Sequence, residues 1–457
     1  MALIAFVALV SCSKGIPMPV PSDADGMIYG TKADELVFVK NNQALFQVYA
    51  TTLWEGVSVE RVEISARLTR PEASESEDYM ASQTFRNVPS GSPASVTVEP
   101  GLYEDLTVKV TLSNGGVHSE KSSFSYCLPS QTYSDLIVVC DEAVCDLSNQ
   151  ETANCYLVRQ PGRYEFTASV KGNGVSPDGT TSVITGIEGF KVICSTGGEF
   201  IRNCTISSGI ISFETVNSGV LPAGNALLGV YSTADCKDGT CLWSWHIWCC
   251  PYVREVEIGS DIILDMPLGS LHRNYNFDAE NGVTYQWGRK DPFIGKVFDV
   301  SATDEKATMA EAVANPTKFY VQSTAANWCK DNRCDFWCQG LTTNGNRSIS
   351  IRKTMYDPCP PGYHVASFTC LSALISSYGE FSYETSGRVL SGIFFPYQGY
   401  LRYTDALLWQ NGLMFNVWAA TPYTDDSGYG IQCNYANTVH TFTAAKSFGN
   451  LIIAQKQ

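Results

Sequence analysis

Residues Leu106-Thr-Val-Lys-Val-Thr-Leu112 alternate between apolar and polar side chains at every position. Successive side chains of a β-strand point to opposite faces, so this stretch predicts a strand with one face in a core and one in water. Similar short runs lie upstream, at 35–39, 44–48, 62–66 and 95–98, and turn-forming segments such as Asn114-Gly-Gly116 follow or separate them. We therefore predict an immunoglobulin-like β-sandwich over residues 23–138.

A second group of strand-like runs occupies residues 140–268. Asn154-Cys-Tyr-Leu-Val158, Tyr164-Glu-Phe-Thr-Ala-Ser-Val170 and Phe190-Lys-Val-Ile-Cys194 are rich in β-branched and aromatic residues. Such residues favour strands, and glycine pairs such as Gly197-Gly198 break them. We predict a second β-sandwich-like domain here.

The run Leu242-Trp-Ser-Trp-His-Ile-Trp248 has two interpretations. In a strand, Trp243, Trp245 and Ile247 share one face, and this face can serve as a platform for sugar rings. The other interpretation is a strand buried on both faces, which the large apolar area of each tryptophan favours. We predict the buried strand, with His246 as a hydrogen-bonded core residue.

The composition limits both the compartment and the partners. The chain has 457 residues and a net charge of 31 − 46 = −15, which repels phosphate and argues against a nucleic-acid partner. Charged residues make up only 17%, below the roughly 25% of an average soluble domain, and 17 cysteines are present. Such a cysteine count is typical of an oxidising, extracytoplasmic compartment.

Residues 1–22 carry an export pattern. The segment from Met1 to Val10 is almost wholly apolar and too short to span a bilayer, which predicts a signal peptide. Leu9-Val10-Ser11-Cys12 resembles a bacterial lipobox, in which the cysteine is acylated; the alternative is an ordinary signal peptide followed by a fortuitous cysteine. With Cys12 acylated and a proline-rich tether behind it, we expect a lipid anchor in the outer membrane and display at the cell surface.

The remaining 17 − 1 = 16 cysteines can pair completely. Cys236-Lys-Asp-Gly-Thr-Cys241 encloses Asp238-Gly239, a type I′ turn signal, which predicts a hairpin with Cys236 opposite Cys241 and a disulfide between them. Cys329-x4-Cys334-x3-Cys338 lacks the spacing and the histidine of a usual zinc site. We predict no metal there.

The later part of the chain resembles known modules. Thr152-Ala-Asn-Cys-Tyr-Leu-Val158 and Trp243-Ser-Trp-His-Ile-Trp248 resemble a module common in Bacteroidetes surface proteins. Tyr285-Gln-Trp-Gly-Arg-Lys-Asp-Pro-Phe293, Tyr356-Asp-Pro-Cys-Pro-Pro-Gly-Tyr363 and Phe395-Pro-Tyr-Gln-Gly-Tyr400 are similar to the Fibrobacter succinogenes major paralogous domain. The resemblance covers about residues 145–457. His364 and Gln432 depart from it, since the family usually has arginine there.

The resemblance implies that residues 270–457 form a compact α+β module similar to the C-type-lectin-like fold, in an exported bacterial protein. It implies no reaction. It also places Cys433 in a late strand close to the rigid turn around Cys359, which implies a Cys359–Cys433 disulfide. From the residues themselves, only 305–314 and 370–377 have a helical pattern, so the whole chain is predicted to be mainly β.

No residue pattern for catalysis or for a cofactor is present. None of the five histidines lies in a nucleophile-elbow context, and phosphate-loop and HExxH patterns are absent from the sequence. Asp425-Asp426 and the acidic pair at 278 and 280 lack a calcium-loop scaffold, so we interpret them as solvated turns. Some enzymes with a C-type-lectin-like fold use active cysteines, but here bridges explain the thiols better. We predict a protein that is not an enzyme and needs no metal or cofactor.

The last module is rich in aromatic residues that can stack on sugar rings. The candidate ligand-binding residues are Tyr397, Tyr400, Tyr403, Trp409, Trp418 and Tyr423. Our hypothesis is a non-catalytic envelope lipoprotein whose residues 270–457 bind an extracellular glycan or a surface protein. The alternatives are a minor or tip subunit of a fimbria, and a carbohydrate-active enzyme.

Overall fold

The computed structural model of the chain describes residues 18–19, 27–32, 35–39, 44–69, 79–86, 92–98, 101–122, 126–127 and 131–457, except 197, 218–220, 273–281, 296–297, 332, 343–350, 377–381, 385–386 and 434–437. Strand accounts for 46% and helix for 4%, so the predicted mainly-β class is confirmed. The chain divides into two compact units, Met1–Cys145 and Asp146–Gln457. This division lies a few residues after the predicted one at 138–140.

The first unit contains short and medium-length strands. Their bounds are β1 Met18–Pro19, β2 Met27–Lys32, β3 Glu35–Val39, β4 Ala44–Thr51, β5 Val59–Thr69, β6 Tyr79–Arg86, β7 Pro93–Val98, β8 Gly101–Leu112, β9 Val117–Ser122, β10 Tyr126–Cys127, β11 Gln131–Val139 and β12 Val144–Asp146. One sheet has the order β1-β11-β4-β7, in which β11 and β4 are parallel. A second contains β9-β8-β5-β6, with β10 on β8 and β12 joining β9 at Val144.

Strand β8 contains the run that opened the sequence argument. Val108, Val110 and Leu112 are buried, while Lys109 between them is exposed. Its pairing with β5 on one side and β9 on the other makes it an inner strand of the sheet. The alternation of apolar and polar residues therefore predicts correctly which face of β8 lies in the core.

The second unit contains the remaining strands and both described helices. Their bounds are β13 Cys155–Val158, β14 Arg163–Thr167, β15 Gly189–Ser195, β16 Ile201–Ser207, β17 Ile210–Thr215, β18 Gly224–Tyr231, β19 Cys241–Cys249, β20 Glu255–Ile258, β21 Asp261–Leu264, β22 Val283–Gln286, β23 Phe293–Ile294, β24 Asp299–Val300, α1 Met309–Ala314, β25 Lys318–Phe319, β26 Tyr363–Val365, α2 Phe368–Ser376, β27 Ser382–Glu384, β28 Gly387–Leu390, β29 Ile393–Pro396, β30 Tyr400–Leu401, β31 Leu408–Trp409, β32 Phe415–Pro422, β33 Ser427–Cys433, β34 Val439–Ala445, β35 Gly449–Ile452 and β36 Ala454–Lys456.

Strands β14, β16 and β17 pair with one another, β24-β25 and β27-β28-β29 form small sheets, and three larger sheets hold most other strands of this unit. The first has the order β13-β19-β18-β15, with β13 and β19 parallel. The second has the order β20-β21-β36-β26. The third has the order β23-β22-β35-β32-β33-β34, and the β30–β31 hairpin joins it through β35.

Both predicted helices are present, although each starts a few residues from its predicted position. Helix α1 begins at a capping box, in which the Thr308 hydroxyl accepts from the Glu311 N–H and the Glu311 carboxylate accepts from the Thr308 N–H. It ends at Asn315, directly before a proline that cannot continue the helix. Among the described residues, neither helix has the length and hydropathy of a membrane-spanning helix.

The predicted boundary between residues 268 and 270 does not separate two cores. A single buried cluster contains Leu227 and Trp248 from one side of it and Tyr285 and Trp418 from the other. The Trp248 indole N–H also donates to the Ser270 carbonyl oxygen at 2.9 Å. Residues 146–457 therefore share their hydrophobic core across this position.

Strand β19 confirms the prediction of a tryptophan-rich strand buried on both faces. Trp243, Trp245 and Trp248 are each at most 1% exposed. His246 is equally buried, and its Nε2 lies 2.8 Å from the Asn225 Oδ1 atom. These tryptophans belong to the core and cannot form a sugar platform.

The turn predicted between Cys236 and Cys241 is wrong. Strands β18 and β19 do form an antiparallel hairpin, but Cys241 pairs with Tyr231, and residues 232–240 form the connecting loop. Neither Asp238 nor Gly239 has the positive φ that a type I′ turn requires. The long buried strand β18 sets the register of the hairpin, because all its residues face packed surroundings.

Candidate functional site

Two of the six candidate ligand-binding aromatics are core residues. Trp418 is 0% exposed, and its indole N–H donates to the Tyr285 carbonyl oxygen at 2.9 Å. Tyr397 is 6% exposed and packs against Phe415 with ring centroids 6.3 Å apart. Neither side chain can offer a face to a ligand, so we remove both from the candidate site.

Tyr400 and Tyr403 occupy an intermediate position. Each is half-buried, and each packs edge-on against Phe448, at centroid distances of 5.4 Å and 4.8 Å. The Tyr403 carbonyl oxygen also accepts from the Gln322 N–H at 2.7 Å. Both tyrosines therefore support the β30–β31 hairpin from within.

Trp409 is the candidate that the structure exposes most, at 44%. Leu407 and Leu413, close to it in the chain, are 58% and 52% exposed. Three large apolar side chains are thus exposed within one short segment, which makes this segment a candidate contact surface. We call Arg402, Asp405, Leu407, Trp409 and Leu413 the Trp409 surface.

Local geometry holds Trp409 in place. Tyr400 pairs with Trp409 across the hairpin, and Leu401 pairs with Leu408. Gly399 has a φ of 71°, and a Cβ there would lie 2.1 Å from the Trp409 carbonyl oxygen. Only glycine fits this close approach, so the hairpin stands tightly against the preceding chain.

Arg402 links the charged and the aromatic parts of the Trp409 surface. Its guanidinium carbon lies 4.4 Å from the centroid of the Trp409 ring, within cation–π range. The same guanidinium binds Asp405 through both carboxylate oxygens. A bidentate pair of this kind is oriented as a unit, so its polar edge has a defined direction.

The carboxylate of Asp405 stays ionised. Partial burial is the largest single influence and raises its pKa, but hydrogen bonds from Arg402 and from the Leu407 N–H outweigh it, and the pKa is below its ordinary value. The Trp409 surface therefore combines one flat aromatic ring with a paired cation and anion whose charges cancel.

Tyr423 belongs to a different contact set. It is 37% exposed and lies at the turn between β32 and β33, where its ring centroid is 5.0 Å from that of Tyr429. The adjacent Asp426 carboxylate accepts from the Asn327 N–H at 3.0 Å. Its neighbours are thus different from those of Trp409, and we do not include it in the Trp409 surface.

A lysine, an aspartate and a serine form one buried polar cluster of this unit. Lys290, Asp291 and Ser244 form a triangle in which the lysine Nζ lies 2.7 Å from the serine Oγ and 2.5 Å from the aspartate Oδ1. A serine beside a lysine can act as a nucleophile in an accessible site. All three residues are at most 2% exposed, which leaves a substrate no approach.

Two buried histidines are neutral core components. Burial lowers the pKa of His246 to about 3 and lowers the pKa of His364 as well. Within the described parts of the chain, no group of three or more His, Cys, Asp or Glu side chains has an arrangement that can hold a metal ion.

The four cysteines of the predicted bridges fall into three places. Cys236 and Cys241 share a small cluster with Tyr231, and burial raises the pKa of the Cys241 thiol to about 12. Cys359 lies in the cluster that contains Cys155, whereas Cys433 lies in the neighbouring one. The structure holds Cys236, Cys241 and Cys359 as thiols, so both bridges remain predictions for the oxidised protein.

Sequence reasoning missed Arg402, Asp405, Leu407 and Leu413. The i, i+3 spacing of Arg402 and Asp405 is the one signal that points to an ion pair there. Comparison of the chain with models of known protein families gives no match, and no curated protein matches it. The resemblance of residues 145–457 to the Fibrobacter succinogenes major paralogous domain therefore remains an expectation.

Proposed function

We propose that this protein is a non-catalytic, lipid-anchored envelope protein that binds an extracellular carbohydrate through the Trp409 surface. The observation that carries the proposal is the exposed Trp409 ring with Arg402 stacked on it and two exposed leucines close to it in the chain. The first unit serves as an immunoglobulin-like spacer in this proposal, and residues 270–457 serve as the binding module.

The chemistry of the Trp409 surface suits a sugar ring. A pyranose offers one face of C–H groups, which stacks on the flat ring of a tryptophan, and a rim of hydroxyl groups. The Arg402–Asp405 pair offers a donor and an acceptor for these hydroxyls, and its mutual hydrogen bonds orient both before a ligand arrives. A glycosidase would instead need two carboxylates placed across the scissile bond, and Asp405 is committed to Arg402.

Trp409→Ala is expected to raise the Kd for the glycan by at least about tenfold, because tryptophan anchors contribute about 2 kcal/mol or more when truncated. The melting temperature is expected to stay within about 2 °C, since the side chain is 44% exposed. A glycan array probed with the purified chain identifies the ligand, and titration calorimetry with that glycan measures the Kd.

Tyr252→Ala is the matched control, because Tyr252 is 45% exposed in the same unit but belongs to a different segment. It is expected to bind as the unaltered protein does. The proposal fails if the unaltered protein binds no glycan on the array, or if Trp409→Ala and Tyr252→Ala bind equally well.

Cys12→Ser is expected to move the protein from the detergent phase to the aqueous phase in a detergent partition experiment. Acylation of one cysteine supplies the apolar chains that hold such a protein to a bilayer. Cys12 lies outside the described residues, so the proposal depends on the lipobox-like segment alone. Cys204→Ser is the control and should leave the partition unchanged; a Cys12→Ser protein that still sediments with membranes would contradict a lipid anchor.

A further inference from the structure

Lys446 is a buried amine with weak polar contacts. It follows strand β34 and is 1% exposed. Its Nζ lies 3.5 Å from the Arg333 carbonyl oxygen, 3.7 Å from the Cys334 Sγ atom and 4.4 Å from the centroid of the Trp287 ring. An ammonium group in water makes three short hydrogen bonds, so this environment favours the uncharged amine.

Cys334 approaches this amine from a segment 112 residues away in the chain. It is 8% exposed, and its Sγ atom also lies 3.9 Å from the Asp425 Oδ1 atom. The flanking residues are fixed, because Arg333 and Asp335 form a bidentate ion pair and Arg333 donates to the Pro177 carbonyl oxygen at 2.8 Å. A thiol and an amine are thus held side by side with little freedom to separate.

The other end of the pair is equally well fixed. The Lys446 N–H donates to the Asp426 carbonyl oxygen at 2.9 Å, and the Lys446 carbonyl oxygen accepts from the Trp287 N–H at 3.0 Å. The backbone on both sides of the contact is therefore anchored by hydrogen bonds, which keeps the nitrogen and the sulfur close.

We propose that Cys334 and Lys446 form an oxidant-dependent covalent link between sulfur and nitrogen, a sulfenamide. Peroxide first oxidises the thiol to a sulfenic acid and is itself reduced to water. The amine lone pair then attacks the sulfur, the S–N bond forms, and the sulfenic hydroxyl leaves as a second water. One thiol, one amine and one peroxide thus yield one link and two waters.

The electrostatics of the pair support the second step, the attack of the amine on sulfur. Burial is the main influence on each group: it raises the pKa of the Cys334 thiol and lowers the pKa of the Lys446 amine, while their mutual interaction opposes both shifts. An uncharged amine has the lone pair that attack on sulfur requires. Because the raised pKa keeps the Cys334 thiol protonated, its oxidation by peroxide is the slow step of the sequence.

Two neighbouring cysteines of this segment have contacts of their own, and the charge of Cys329 also influences the Lys446 amine. Cys329 pairs through its backbone with Ala307, and Cys338 pairs with Lys353. The Cys338 Sγ atom accepts from the Arg352 N–H at 3.2 Å. The competing product is a disulfide of Cys334 with one of these thiols, and the test separates the two products by mass.

The test is peptide mapping of the full chain, purified from an oxidising compartment and treated with hydrogen peroxide, with digestion by trypsin before any reduction. We expect a species that joins the peptide containing Cys334 to one containing Lys446, lighter by two hydrogen atoms than the sum of both. Trypsin should not cleave after the linked lysine, and dithiothreitol should release both peptides. A free Cys334 thiol after peroxide, or Cys334 in a disulfide, overturns the proposal.

Two variants make the assignment specific. Lys446→Arg keeps a long basic side chain but removes the amine, so the linked species should disappear while Cys334 remains available to oxidation. Cys338→Ser removes the competing thiol nearest to Cys334 in the sequence and should leave the linked species in place. If the Lys446→Arg protein still gives a linked species that is lighter by two hydrogen atoms, another residue is the partner of Cys334. This result also overturns the proposal. The mapping of the unaltered chain decides the question even if a variant does not fold.

Discussion

Replacement of Asp291 by alanine is expected to lower the free energy of unfolding by about 3–5 kcal/mol. The carboxylate is 1% exposed and accepts from the Lys290 Nζ at 2.5 Å and from the Ser244 hydroxyl at 2.6 Å. Without it, the Lys290 amine stays buried with no counter-charge. Burial lowers the pKa of Lys290, and the charge of Asp291 opposes this effect. Removal of Asp291 therefore raises the free-energy cost of burying a charged Lys290 side chain.

Urea unfolding followed by tryptophan fluorescence measures this loss. Eight of the nine tryptophans lie in residues 146–457, so the signal reports mainly on the unit that contains the pair. The control is the double change of Lys290→Met with Asp291→Leu, which removes both charges together. It should be much more stable than Asp291→Ala alone, because apolar residues of similar size replace a buried pair at little cost. A loss below about 1 kcal/mol for Asp291→Ala would show that the pair is hydrated in solution.

Trp418→Ala is expected to destabilise the protein by about 3–5 kcal/mol, the cost of a large cavity in a packed core. The ring is 0% exposed, stacks near Phe442 at 6.1 Å, and donates its N–H to the Tyr285 carbonyl oxygen. Trp418→Phe should destabilise the protein less, because phenylalanine fills most of the tryptophan volume and the main loss is the indole hydrogen bond. Unfolding by urea again provides the measurement.

Trp418→Ala and Trp409→Ala together separate core from candidate site. Both remove a tryptophan from residues 270–457, but the first ring is buried and the second is 44% exposed. Trp418→Ala should lower the stability of the protein. Trp409→Ala should lower its affinity for the glycan and leave its stability unchanged. If Trp418→Ala hardly lowers the free energy of unfolding yet abolishes glycan binding, the assignment of core and surface in this unit is wrong.

The motif that carries most of the family resemblance has a structural role here. Arg289 is fully buried, and its guanidinium donates to the carbonyl oxygens of Lys318, Asn315 and Pro316 at 2.6–2.9 Å. Its neighbours Lys290 and Asp291 form the buried pair described above. Residues of this kind specify how the chain packs, so the motif carries information about the fold rather than about a ligand.

Much of the secondary structure could be predicted from the sequence. The run at 106–112 lies in strand β8, where Val108, Val110 and Leu112 are buried, and the tryptophan-rich run is the buried strand β19. Both short helices lie within a few residues of their predicted positions. These features depend on the period of apolar residues along a short segment, which any reader of the sequence can count.

The candidate site could be predicted only in part. Six aromatic residues had equal standing in the sequence, yet Tyr397 and Trp418 are buried and Trp409 is exposed. A tryptophan fills a core as well as it binds a sugar, and no local pattern distinguishes these roles. The position of Arg402 over the ring also depends on the turn that β30 and β31 make.

The sequence by itself determined the mainly-β class, the places of most of the described strands and the role of His246. Each of these follows from residues that are close together in the chain. Only the tertiary structure decided which aromatic rings are covered, that the core continues across residues 268–270, and that Cys334 meets Lys446. Burial and such contacts are set by packing between segments far apart in the chain, and the period of a single strand carries no information about what covers it.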